Sequence, residues 1–443
     1  MSNLFYQAKG RRPIGTRAEG VYIWDEDGRQ VIDGASGAMV VNIGHSNERV
    51  LAAMREQLDK ATFLYRLQFE NEPAERFATA LAERLPAELE EVFFVSGGSE
   101  AVESALKLAR QWAVATGQPE RWKIISRFPG YHGSTLGALS VTGYDLLTQH
   151  YLPLMTEMPK IPAPTAYLDR DGLTMAERGL RYADMLEAKI LAEGPESVLA
   201  FIMEPVGGAT TGALVAPDSY YARIREICDR YGILLIHDEV MSGAGRTGKY
   251  LAGDHWGCQP DIVALSKGLG AGYAPLGAMV APERIVGPVL SSGGFAHGHT
   301  YAGNPLASAA GLAVLEEIDR LGLLGNASDM GDRLMAGLRE LATRHPVIGD
   351  VRGKGLLLAA EFVADRDTME PLAPELNAHE RMVELAFERG LILYSRRTRG
   401  GRSGDHFLVC PPMIVTADEV DRILEILDDT LLALERELGL PNA

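Results

Sequence analysis

Ile233-Leu234-Leu235-Ile236-His237 runs straight into Asp238-Glu239-Val240, and the reading of these eight residues decides the fold. Such a short apolar run reads as a strand covered on both faces. The amphipathic segment Tyr220–Arg230 before it reads as a helix, and the same alternation extends in both directions. Val92–Val95, Lys123–Ile125, Val198–Met203, Ile262–Leu265 and Leu276–Val280 read as further strands, with helices such as Val102–Trp112 between them. Apolar strands separated by helices predict an α/β fold whose large, mostly parallel sheet is covered on both sides. Sheets of this kind gather their chemistry at the carboxyl ends of the strands. Asp238 and Glu239 stand at such an end. Two carboxylates there are costly without partners or work, and read alone they could equally cap a helix or form a structural salt bridge.

Outside this core the pattern changes. Apolar runs flanking Asp27-Gly28 predict a β-hairpin. Two helices follow, one with Val50, Leu51, Met54 and Leu58 on a face behind Asn47, the other starting at Pro73 with Phe77, Leu81 and Leu85. After about residue 325 the chain reads as α+β. It ends in a helix opened by the capping box Thr416-Ala-Asp-Glu419, with Val420, Ile423, Leu424, Leu427 and Leu431 as its stripe. The expected organisation is a large domain over 61–325 and a small α+β domain built from 1–60 and 326–443.

The 443 residues are 46% apolar and 23% charged, as in ordinary globular proteins. A formal charge of −17 argues against a general nucleic-acid binder, which needs clustered cations. Three cysteines without CxxC spacing exclude a disulfide scaffold and a cysteine zinc site, and no metal is expected. With no apolar leader and no membrane-length apolar run, a cytoplasmic location is expected.

Two glycine-rich stretches compete as phosphate loops. Gly243-Ala-Gly245-Arg-Thr-Gly248-Lys249 satisfies GxGxxG and nearly a P-loop, but Tyr250 stands where a metal-binding hydroxyl is needed and no long helix follows. Ser96-Gly97-Gly98-Ser99 follows a strand and opens a long helix, so its free N–H groups and dipole suit an anion. Lys267, in Ser266-Lys267-Gly268 after another strand, is a Schiff-base candidate. Tyr131-His132-Gly133 and Glu204-Pro205-Val206 fall in order between these motifs. An anion cradle, a flat aromatic, a buried carboxylate and a nucleophilic lysine together suit pyridoxal phosphate.

With Asp238-Glu-Val-Met-Ser-Gly-Ala-Gly-Arg-Thr-Gly248 and Ser266-Lys267-Gly268 in this order, the chain resembles the class III pyridoxal-phosphate aminotransferases of fold type I, essentially end to end. The resemblance implies that Lys267 forms the Schiff base and carries the proton, and that Asp238 faces the pyridine nitrogen. It implies that Tyr131 stacks on the ring, with His132 beside it and Val240 on the other face. Gly98 and Ser99 would hold the phosphate, and Glu204 would lie near cofactor and substrate. Thr300 would reach the phosphate of a neighbouring subunit, which implies a homodimer and leaves a tetramer open. Met241 and Gly207 stand where many members carry glutamine, which points to the branch that passes amines or ω-amino acids to pyruvate. For the substrate, Arg402, then Arg399, is the carboxylate-binding candidate, and Met39, between Ala38 and Val40, would line the pocket. The same cofactor residues would also serve a racemase, aminomutase or decarboxylase, or a glutamate/2-oxoglutarate-type aminotransferase.

Overall fold

The computed structural model describes residues 3–5 and 12–440. Its centre is a seven-stranded sheet in the order Glu91–Val95, Gly277–Ala281, Ile262–Leu265, Leu234–Asp238, Val198–Met203, Lys123–Phe128, Lys160–Pro162. Gly277–Ala281 runs antiparallel to both neighbours, and every other pairing is parallel. The apolar runs are continuous because both faces are covered. Leu199 and Ile202 pack with Val102, Ala105 and Ala109 of the Gly98–Ala115 helix. Val198, Phe201 and Met203 pack on the opposite side with Leu186 and Ile224 of the Met175–Glu193 and Asp218–Tyr231 helices. Truncating a residue such as Phe201, which is fully buried, would cost about 3–5 kcal/mol.

The two chain ends meet. The predicted hairpin, Tyr22–Asp25 with Gln30–Asp33, turns at Gly28 in the left-handed region and pairs in parallel with Leu391–Ile392. A second sheet joins Ile348–Lys354, Leu357–Asp365, Asp405–Val409 and Tyr394–Arg397. Against it lies the Ala417–Leu438 helix, opened by the reciprocal Thr416–Glu419 capping box. Val21, Ile32 and Val50 share one core with Leu358, Leu427 and Leu434.

Three local expectations shift. The strand before the carboxylates is Leu234–Asp238 and so includes Asp238, because its register with Ile262–Leu265 carries the pairing one residue further. The helix expected from Pro73 begins at Glu72, since the Asn71 side chain accepts from Ala74 N–H and caps it. Leu85 lies beyond that helix yet is buried. In the Glu48–Lys60 helix, Asn47 caps as expected and Val50 is buried, but Leu58 is half exposed.

Gly243–Gly248 is not a phosphate cradle. It is a run of turns packed on the Leu323–Arg344 helix, where a Cβ on Gly248 would stand 2.2 Å from Ser328 Oγ. Its glycines serve close packing.

Candidate active site

Parallel strands deliver their carboxyl ends to one cavity of about 410 Å³, and Glu204, Asp238, Ser266 and Lys267 all line it. Glu204 follows the Val198–Met203 strand, Asp238 closes Leu234–Asp238, and Lys267 lies two residues beyond Ile262–Leu265. Strand register makes this inevitable: Met203 is level with His237, and Asp238 with Ala264.

Lys267 has its backbone in the left-handed region (φ 45°), a conformation a non-glycine residue keeps only when its surroundings impose it. Among the described residues its Nζ has no hydrogen bond or ion pair. Burial pulls its pKa below the ordinary lysine value, while the charges of Asp238 and Glu204 partly oppose that shift. A less basic, unengaged amine is a nucleophile.

Asp238 is held on both oxygens: Oδ1 accepts from Val240 N–H at 3.1 Å, and Oδ2 lies 2.9 Å from His132 Nδ1. The backbone N–H of His132 donates to Thr142 Oγ1. His132 Nε2 is buried without a partner. Glu204 Oε1 accepts from Gly208 N–H at 3.1 Å, and Oε2 lies 3.8 Å from Arg127 without a hydrogen bond. Burial raises the Glu204 pKa, with His132 and Arg127 acting against the rise. Glu239, beside Asp238, points away: it is fully buried, accepts from Ser242 Oγ and Gly253 N–H, and burial pushes it up to about 7.

At one end of the cavity the Gly98–Ala115 helix presents an N-terminus with no side-chain cap. A Cβ on Gly98 would stand 2.7 Å from Val240 Cγ1, so only glycine lets that backbone approach the cavity. Ser99 Oγ accepts from Ser134 N–H, and the Tyr131 hydroxyl lies 3.1 Å from Ser134 Oγ. Tyr131, His132, Val240, Met39 and Met241 all line the same space. A Cβ on Gly207 would stand 2.1 Å from Thr211 Oγ1, so a side chain there would require Thr211 to shift. Thr300 is exposed and outside the cavity of its own chain.

The arginines expected near the substrate lie in different places. Arg402 does not line the cavity; it is the exposed residue of the 398–404 turn, with its guanidinium 2.7 Å from Asp145. Arg399 donates to the Met369 carbonyl. Arg396 lines the mouth instead, stacked 4.8 Å from the Tyr394 ring centroid and bonded to its hydroxyl. The cause is strand alternation: Tyr394–Arg397 pairs with Asp405–Val409, placing Tyr394 and Arg396 on the cavity side while Arg397 turns to Asp405. Period-two reading of Tyr394-Ser395-Arg396-Arg397 carried this signal. Tyr144 and Thr210, which also line the cavity, had no motif to mark them.

This constellation sits on a fold shared with known aminotransferases. The family described as aminotransferase class-III matches residues 6–431. The uncharacterized aminotransferase YodT of Bacillus subtilis is 39% identical over 96% of each chain. The taurine–pyruvate aminotransferase of Bilophila wadsworthia is 37% identical over 96% of this chain and 94% of its own. Among solved structures, an (S)-enantioselective ω-transaminase from Thermomicrobium roseum superposes with a TM-score of 0.92 at 36% identity, covering 98% of this chain and 96% of that one.

The chain belongs to the class III aminotransferase family. It is an aminotransferase of fold type I, and pyridoxal phosphate is its cofactor. The residues present fit that group: an uncapped helix N-terminus for the phosphate, a free amine for the aldehyde, and a buried carboxylate for the ring nitrogen.

Proposed function

We propose that this enzyme moves an amino group from an amine or ω-amino acid to pyruvate, with Lys267 as Schiff-base residue and proton carrier and Asp238 as ring-nitrogen partner. The observation that carries the reading is the unengaged Lys267 amine, facing Asp238 and Glu204 across one cavity. Pyridoxal phosphate, when bound, supplies an aldehyde that condenses with amines and a ring that withdraws electrons from the donor's carbon.

The chain's own residues do the rest. Gly98, Ser99 and the helix N-terminus hold the phosphate, joined by Thr300 of a second copy in a cytoplasmic homodimer, or in a tetramer of two dimers. Tyr131 and Val240 bracket the ring, with His132 and Glu204 beside it. Asp238, oriented by His132 and by Val240 N–H, keeps the ring nitrogen protonated through its charge. Lys267 Nζ, neutral once released, takes a proton from the donor's carbon as a general base and gives it back as a general acid. Met39 and Met241 supply an uncharged wall suited to an amine donor. Arg396 at the mouth offers a planar fork for a keto-acid carboxylate, and takes over the role expected of Arg402. The pyruvate acceptor has support in the name of the taurine–pyruvate relative.

The test is a half-reaction. L-Alanine added without keto acid should discharge the yellow absorbance of the purified enzyme. A band that persists, with racemised alanine recovered, would replace transamination by racemase chemistry. A band discharged only by glutamate would move the acceptor to 2-oxoglutarate.

A further inference from the structure

Arg246 is the bulkiest fully buried side chain, with 0% exposure. It lies outside the cavity-lining set, and among the described residues no carboxylate is within ion-pair reach of it. Its guanidinium is spent on uncharged groups from three parts of the chain. Nη1 donates to the Pro411 carbonyl at 2.5 Å and marginally to that of Leu356 at 3.5 Å. Nη2 donates to Asn42 Oδ1 at 2.7 Å and Ser36 Oγ at 3.1 Å. These two acceptors are tied in turn: Ser36 Oγ donates to the Cys410 carbonyl, and Asn42 Nδ2 to the Ala244 carbonyl.

The segment so fixed is strained. Ser36, Gly37 and Met39 lie in the left-handed region at φ 48°, 67° and 57°. Non-glycine residues keep such angles only where neighbours over-determine them. Between the two arginine contacts, Ala38 and Met39 form part of the cavity wall. A buried charge with no direct ion pair, its nearest opposite charge the buried Asp33 acting at longer range, holds a strained wall segment from behind and does more than fill space, since an apolar residue would do that at lower cost.

We propose that Arg246 is a specificity-determining positioning residue: its fork pins Ser36 and Asn42, and through them sets where Ala38 and Met39 stand against the amine donor. The inference rests on the cavity being the substrate site of the proposed transamination. Lysine keeps the charge but cannot reach all four acceptors. Arg246→Lys should therefore loosen the wall, penalising a small donor that depends on it and admitting a bulky one. The expected result is a roughly tenfold fall in the ratio of kcat/KM for 2-aminopropane over that for 1-phenylethylamine with pyruvate, carried by KM while kcat for the better donor changes little. The Met39 methyl resonance, in protein labelled at methionine methyls, should shift and broaden.

An unchanged ratio and an unshifted Met39 methyl would overturn the proposal, even if Arg246→Lys melts earlier. Should that variant not fold, Ser36→Ala removes one contact and must move both readouts in the same direction; no movement overturns the proposal equally. Should the wild type turn over neither amine, the transaminase reading fails by itself, and the methyl resonance still decides what Arg246 does to Met39.

Discussion

Two buried charge clusters in this molecule look alike by composition and are opposite in construction. Around Arg352 both carboxylates and both terminal guanidinium nitrogens have partners, and among the described residues only Nε lacks one. Its guanidinium bonds to Asp350, Glu361 and the Thr211 carbonyl and stacks over Tyr167, whose hydroxyl donates to Glu361. Around Lys267 the amine is unpaired, Glu204 Oε2 lacks a hydrogen bond, and so does His132 Nε2. Satisfied networks spend their charges on one rigid arrangement; unsatisfied ones cost stability and persist where a ligand completes them. The contrast lies in the lysine: a whole buried amine without a partner at Lys267, against a guanidinium that bonds through both terminal nitrogens at Arg352.

Deleting groups from each cluster tests it. Lys267→Ala should reduce steady-state transamination by roughly 10⁴-fold or more and leave the melting temperature of the cofactor-free protein unchanged or higher, because an unpaired buried amine is gone. Near-normal turnover would refute the assignment. Asp238→Asn keeps the shape and removes the charge, so kcat should fall about 10³-fold with little change in melting; an unchanged rate would remove its proposed role. Glu361→Ala should do the reverse. It leaves Arg352 short of a partner, costs about 3–5 kcal/mol in denaturant titrations, and keeps kcat within a small factor in the folded enzyme. A large loss of kcat at unchanged stability would break the comparison.

How much of this was legible in the sequence follows from range. The sheet could be read because both faces of each central strand are covered, which makes apolar runs such as Val198–Met203 self-announcing. Lys267, Asp238 and Gly98 could be placed in one site because parallel strands bring their carboxyl ends together whatever the loops do. The arginine at the cavity mouth could not be placed from its loop. Its position depends on the register of Tyr394–Arg397 against Asp405–Val409 and on the turn that carries Arg402 out to Asp145. Arg246 was hidden for a related reason: Ser36, Asn42 and Pro411 are far from it in sequence. Within the glycine-rich motif it looked like part of a loop.

The mouth of the cavity gives an intermediate effect. Arg396→Leu should raise KM for pyruvate roughly 10–100-fold while leaving the half-reaction with a carboxylate-free amine nearly untouched. Arg402→Leu, which breaks an exposed pair with Asp145, should change KM little. Equal effects in the two variants would mean that the 398–404 turn rearranges when substrate binds.

The smallest effect comes from Glu239, which sits beside Asp238 in sequence and accepts a hydrogen bond on each oxygen. Burial raises its pKa from 4.5 to about 7, so the folded state holds this proton more tightly than the unfolded chain does. The resulting stabilisation is complete below about pH 4.5 and is withdrawn as pH rises through 7. Glu239→Gln keeps a neutral group between Ser242 Oγ and Gly253 N–H, and should flatten that dependence. Between pH 6 and 8 the wild type should lose about 1–2 °C more in melting temperature than the variant. Parallel curves would mean that Glu239 stays ionised when buried, and its environment would then belong with the strained site rather than the satisfied scaffold.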